Sequence, residues 1–223
     1  MSMPNRRLNR RNMLGTIGVA PVAVAAASIS AVQAQPALLE EEWTYVPISP
    51  EEAAERTYQL SASRGCMEAI ATGVIKLLAQ KAGEPFASFP IRMMRYGAGG
   101  VGCGSLCGAL NGGAAVLSLL IENRSSLRKA VAKLNQWHQD TALPAYQPMN
   151  FTATPDVFPV KSGSILCRES LDRWSRESEA NGFPAGPRER GERCRRLTAD
   201  VARSVVLLLN AELEGELESV SLA

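Results

Sequence analysis

The chain has 223 residues, with 24 Lys+Arg against 22 Asp+Glu, a formal net charge of +2, 46% hydrophobic residues and 5% aromatics. That length suffices for one domain with a buried core. Near-balanced charge and the lack of a basic stripe exclude a nucleic-acid footprint, and a single histidine leaves no Ser-His-Asp triad to assemble.

The first segment reads as an address, not as structure. Residues 5–15, NRRLNRRNMLG, precede the small apolar run TIGVAPVAVAAASISA and then Val32-Gln33-Ala34. The run is too short and alanine-rich for a permanent span. Arg10-Arg11 followed by Met13-Leu14 resembles a twin-arginine export signal, with cleavage expected after Ala34. An ordinary secretory signal or an uncleaved anchor is the alternative. The expected location is the periplasm, reached through the twin-arginine translocase, with no permanent membrane span after cleavage. Removing residues 1–34 lowers Lys+Arg from 24 to 20 against 22 acids, so the apparent basicity belongs to the leader.

Residues 35–48, with Pro36 and Pro47, form an N-terminal arm. Ser49-Pro50-Glu51-Glu52 joins a cap, a first-position proline and early acids, and predicts a helix to about Ser61. Ser63-Arg64-Gly65 interrupts it. Cys66, Ile70, Val74 and Leu77 then share one helical face, closed by Lys81-Ala82-Gly83. Phe86–Tyr96 fits either helix or strand. The stretch GAGGVGCGSLCGALNGG, residues 97–113, follows. Leu106, Leu110, Leu117 and Ile121, with small residues on the other faces, predict a buried central helix. Ser125 or Ser126 can cap the next helix, running to about Asp140, with His138 expected on the surface. Four prolines make residues 141–162 a long connection. A helix over about 163–180 places Cys167, Leu171 and Trp174 in phase; 181–187 is a turn. The last helix, about 189–214, aligns Cys194, Leu197, Val201, Val205 and Leu208. Arg188–Arg190 and Arg193–Arg196 alternate with acids and read as a solvated face. The fold class is all-α: a single-domain helical bundle with a glycine-rich loop leading into a buried central helix, its segments 1–34, 35–48 and 49–223.

Cys66, Cys107, Cys167 and Cys194 each fall near a predicted helix start, where unsatisfied N–H groups favour the thiolate. If those ends pack together, four sulfurs converge. Small buried hydrophobes and a disulfide framework are the competing readings. Twin-arginine substrates are generally folded in a reducing compartment, which favours ligands over staples. There is no C-x-x-C and no C-x-x-C-H, so thioredoxin, zinc-ribbon and covalent-haem signatures are absent. Cys103 and Cys107 could form a local pair. GAGGVG, 97–102, matches G-x-G-x-x-G with Glu122 twenty residues on, but no other βαβ unit accompanies it. A steric reading suits the glycines better: close backbone approach and donated N–H groups around a bulky anionic centre, or plain packing.

In order and spacing these cysteines resemble the redox-active family named for its pattern C-GCAxxG-C-C. Cys66 matches the first cysteine, Cys107-Gly108-Ala109-Leu110-Asn111-Gly112 the central element, and Cys167 and Cys194 the last two. Gly102-Cys103-Gly104 offers the leading glycine instead, so Cys103 stays open as a further ligand or resolving thiol. The resemblance implies an iron–sulfur cluster, with Cys66, Cys107, Cys167 and Cys194 as its ligands; the steric reading of the glycines makes Gly102, Gly104, Gly108 and Gly112 its cradle. It implies an electron carrier or accessory subunit of a periplasmic or membrane-bound oxidoreductase rather than a stand-alone enzyme. A thiol–disulfide protein and a disulfide-stapled helical binding protein remain the alternatives.

Overall fold

The computed structural model describes residues 43–148 and 154–222; the expected leader and most of the arm lie outside the described residues. Helix α1, Pro50–Leu60, starts where the sequence places it: the Ser49 hydroxyl accepts from the Glu52 amide at 3.1 Å, with Pro50 in the first turn. Helix α2, Cys66–Ala82, begins after Gly65 and ends at Gly83, whose φ of 75° stops the helix. The α1–α2 crossing is tight. A Cβ on Gly73 would lie 2.1 Å from the Thr57 hydroxyl.

Residues 86–97 resolve the helix-or-strand ambiguity as short 3-10 turns, Phe86–Ser88 and Ile91–Gly97. Helix α3, Gly108–Leu120, is the buried central helix. Gly112 faces Met67 and Ile70 of α2, and Gly113 faces Val201, Val205 and Leu134. The helix starts at Gly108, not at Leu106, because Leu106 instead makes a β-bridge with Leu166.

Helix α4 spans Arg124–Asp140. Its cap is Asn123, whose Oδ1 accepts from the Ser125 and Ser126 amides at 2.9 and 3.1 Å; the two serines expected as caps supply the donors instead. The long connection carries a small antiparallel pair, β1 Ala142–Leu143 and β2 Val160–Lys161. That pairing and the Leu166 bridge keep the backbone extended, so α5 runs over Cys167–Ala180 and not from 163.

Helix α6, Pro187–Glu214, is the spine against which α1, α2, α3 and α4 pack. Ile70, Val74, Leu110, Leu117, Leu134, Leu197, Val205 and Leu208 are fully buried, each Leu or Ile contributing about 1.5–3 kcal/mol. Of the two basic clusters on α6, Arg188 and Arg190 are exposed as their alternating charge suggests, but Arg193–Arg196 is not a solvated face. Glu192, Arg193 and Arg196 are all buried. The Glu192 carboxylate pairs with Arg196 at 2.8 Å and accepts from the Tyr58 hydroxyl at 2.8 Å, so the charge is neutralised internally. Among the described residues no helix is long and apolar enough to cross a membrane.

Candidate metal centre

Three cysteines occupy helix starts. Cys66 and Cys167 are the first residues of α2 and α5, and Cys107 is the N-cap of α3. Backbone pairing fixes two of them side by side: the Cys107 amide donates to the Ile165 carbonyl at 2.8 Å, and the Cys167 amide to Ser105 at 2.7 Å. Two segments sixty residues apart are thereby clamped just before their helices begin. Gly108 brings α2 to the same place. A side chain there would put its Cβ 2.5 Å from the Gly97 carbonyl oxygen and 3.2 Å from the Cys66 Cβ.

Cys194 departs from the expected pattern. It lies two turns inside α6, away from that helix's N-terminal field. It reaches the others from the side: Thr198, one turn on, donates to the Cys194 carbonyl at 2.6 Å and lies beside the Cys66 thiol.

The thiols sense one another. Burial pushes Cys66 up to about 12, and the sulfurs of Cys194, Cys107 and Cys167 push it further in the same direction. Burial likewise raises Cys107, against the opposing pull of Arg193. It raises Cys167 to about 11, with Cys107 and Cys194 adding to the rise and Arg193 opposing it. Burial thus disfavours the thiolate form of Cys66, Cys107 and Cys167, and an electropositive guest would offset that cost. All five cysteines are unpaired.

Charge alternation conceals the residue that matters most here. Arg193 is 2% exposed. Its Nη2 donates to the Ser170 hydroxyl at 2.6 Å, its Nη1 lies 3.9 Å from the Cys194 sulfur, and its Nε has no partner. No carboxylate pairs with it among the described residues. The only histidine is also misplaced by its polar neighbours. His138 is fully buried, with Nδ1 3.1 Å from the Ser162 hydroxyl and Nε2 unpartnered. Burial, then the nearby Arg193 charge, holds its pKa down to about 4. The spacing Ala130, Leu134, His138 marks this inward face; for Arg193 the matching signal is its four-residue step to Leu197.

Cys103 stands apart. Exposed in the loop Gly100–Gly104, its thiol donates to the Gly100 carbonyl at 3.2 Å, while Arg168 donates to the Cys103 carbonyl at 3.1 Å. Its pKa is lowered, first by the Ser105 hydroxyl. The four singled-out glycines divide. Gly104, with φ 79°, accommodates Arg168; Gly108 admits Cys66; Gly112 seats α3 on α2. Gly102 has φ 69° and open space around it, so its need is conformational.

Among the described residues no three His, Cys, Asp or Glu side chains converge tightly enough for a single metal ion. A multi-iron cluster spreads its thiolates more widely than one ion does, and four mutually interacting thiols, Cys107 buried and Cys66, Cys167 and Cys194 partly so, could hold one.

Comparison with known proteins points to redox chemistry. The family described as "Putative redox-active protein (C_GCAxxG_C_C)" matches residues 66–208, from the first of the four cysteines to beyond the last. The split-Soret cytochrome c of Desulfovibrio desulfuricans is 31% identical over 177 residues, which is 77% of this chain and 62% of that protein. A solved structure of it, described as containing a novel iron centre, superposes with a TM-score of 0.70 at 31% identity, over 78% of this chain and 74% of that one.

Proposed function

This chain belongs to the C_GCAxxG_C_C redox-active family, and from that premise we propose that it carries an iron–sulfur cluster on Cys66, Cys107, Cys167 and Cys194 and exchanges single electrons with a partner oxidoreductase. The reading includes a periplasmic location reached by twin-arginine export.

The observation that carries it is Arg193. A buried guanidinium without a carboxylate costs several kcal/mol. Neutral thiols leave that charge uncompensated; a thiolate-bound cluster, anionic overall, compensates it. The cluster would supply a one-electron donor and acceptor. The chain does the rest. The Leu106–Leu166 bridge fixes Cys107 and Cys167, Gly108 lets Cys66 approach, and Ser170 orients the guanidinium. Cys107 is buried and the other three are partly so, which limits the access of water to the sulfurs. The iron centre of the split-Soret relative supports iron at this site. Covalent haem has no C-x-x-C-H to attach to here.

The test is anaerobic purification and reconstitution, with iron, sulfide and free thiols counted together. Coloured protein with iron and sulfide, and four thiols protected from alkylation, supports the proposal. Colourless protein with five reactive thiols refutes it. One observation favours a thiol–disulfide reading instead: the exposed, acidified Cys103. It would give metal-free protein that captures a partner as a mixed disulfide, lost in Cys103→Ser.

A further inference from the structure

Five large apolar side chains are exposed among the described residues, and four of them crowd one end of the molecule: Met93, Tyr96, Val101 and Leu166. Each belongs to a segment that builds the cysteine site. Tyr96 precedes Gly97, whose carbonyl meets Gly108. Val101 follows Gly100, where an added Cβ would lie 3.0 Å from that of Cys167. Leu166 directly precedes Cys167, and Met93 shares its turn with Arg95, which reaches Glu68 on the first turn of α2.

The charge around this patch has one dominant sign. Residues 85–121 contain no acid. Arg92, Arg95 and Arg168 are exposed, and Arg64 adds a further cation. The acids on these segments are Glu68, buried against Arg64 and Arg95, Glu169, which accepts from the Ser164 hydroxyl, and the exposed Asp172 one turn beyond Arg168. Exposed apolar side chains beside exposed arginines, on the segments that carry the cysteines, have the form of a small transient electron-transfer interface.

We propose that this face docks an acidic one-electron carrier protein, one presenting carboxylates around the exposed edge of its redox centre, and that the apolar group Tyr96, Val101 and Leu166 sits at the middle of the contact. The proposal rests on the iron–sulfur reading. In the transfer, one electron leaves the reduced carrier and enters the iron centre; the carrier is oxidised by one electron and the centre reduced by one, with no bond formed or broken and no proton moved.

The probe is a small acidic plant-type ferredoxin, reduced photochemically and mixed with the reconstituted protein in stopped flow; reduced methyl viologen, a small cation, is the partner-independent donor. The ferredoxin rate should fall about tenfold between low and physiological salt. Arg92→Glu should lower it about threefold at low salt and leave the viologen rate and iron content unchanged. NMR titration with oxidised ferredoxin should broaden Tyr96, Val101 and Leu166. A salt-independent rate, an unchanged ferredoxin rate in Arg92→Glu, or a footprint elsewhere would overturn the docking face. So would binding to anionic phosphatidylglycerol vesicles without any ferredoxin response, which would assign the face to a lipid surface. If viologen reduces nothing and iron is absent, the cluster reading fails, and the NMR footprint still decides the docking face.

Discussion

Replacing Arg193 with methionine should move two properties in opposite directions. The side chain is buried, bonded to Ser170 and 3.9 Å from the Cys194 sulfur, without a carboxylate partner. In the metal-free protein it is an uncompensated charge. Methionine has similar length and no charge, so the apo form should gain about 1–4 kcal/mol. In the loaded protein the same charge opposes thiolates and the electron added on reduction. At 3.9 Å and an effective dielectric of about 20, a unit pair interacts by about 4 kcal/mol. For a one-electron couple that equals about 180 mV, an upper bound because the added electron spreads over the cluster. The reduction potential of Arg193→Met should therefore fall by about 50–150 mV, while Arg193→Lys should fall less. Potentiometric titration gives the first quantity and urea unfolding of apo protein the second. A fully iron-loaded Arg193→Met whose potential is unmoved, or an apo form less stable than wild type, would refute the electrostatic role of Arg193.

Substituting each cysteine by serine should separate them: iron content falls sharply at positions 66, 107, 167 and 194 and stays at wild-type level in Cys103→Ser, read by metal analysis after reconstitution. Gly108→Ala drives a methyl against the Gly97 carbonyl and Cys66, and should cost about 1–3 kcal/mol and lower iron loading; Gly102→Ala meets open space and should cost about 1 kcal/mol through its φ alone. Two buried groups should give opposed pH dependences. His138, held down to about 4, contributes stability present above the ordinary histidine pKa and lost as pH falls toward 4. Burial raises Asp200 to about 7, so its contribution is full below the ordinary aspartate pKa and is lost as pH rises toward 7. Urea midpoints of Asp200→Asn should therefore drop on acidification from pH 7 to 5, and those of His138→Gln should drop on the reverse change, by about 2 kcal/mol each; two variants that track wild type would remove both effects.

Local rules were enough for much of this molecule. The Ser49-Pro50 start, the Gly65–Cys66 restart, the glycine-rich entry to α3 and the long last helix follow from caps, breakers and apolar spacing that act within a few residues. The order of the four cysteines was likewise legible, because a family pattern is written in sequence. Tertiary structure alone decided how they meet. The Leu106–Leu166 bridge displaced two helix starts, since an extended strand partner sixty residues away outweighed a local helical preference. Cys194 joined the site from inside α6, through Thr198 and Cys66, which no helix-start rule foresees. The burial of Arg193, Arg196 and His138 was hidden for one reason. A polar residue's exposure depends on whether distant partners satisfy it, and Ser170, Gln147 and Ser162 lie far along the chain or on another element.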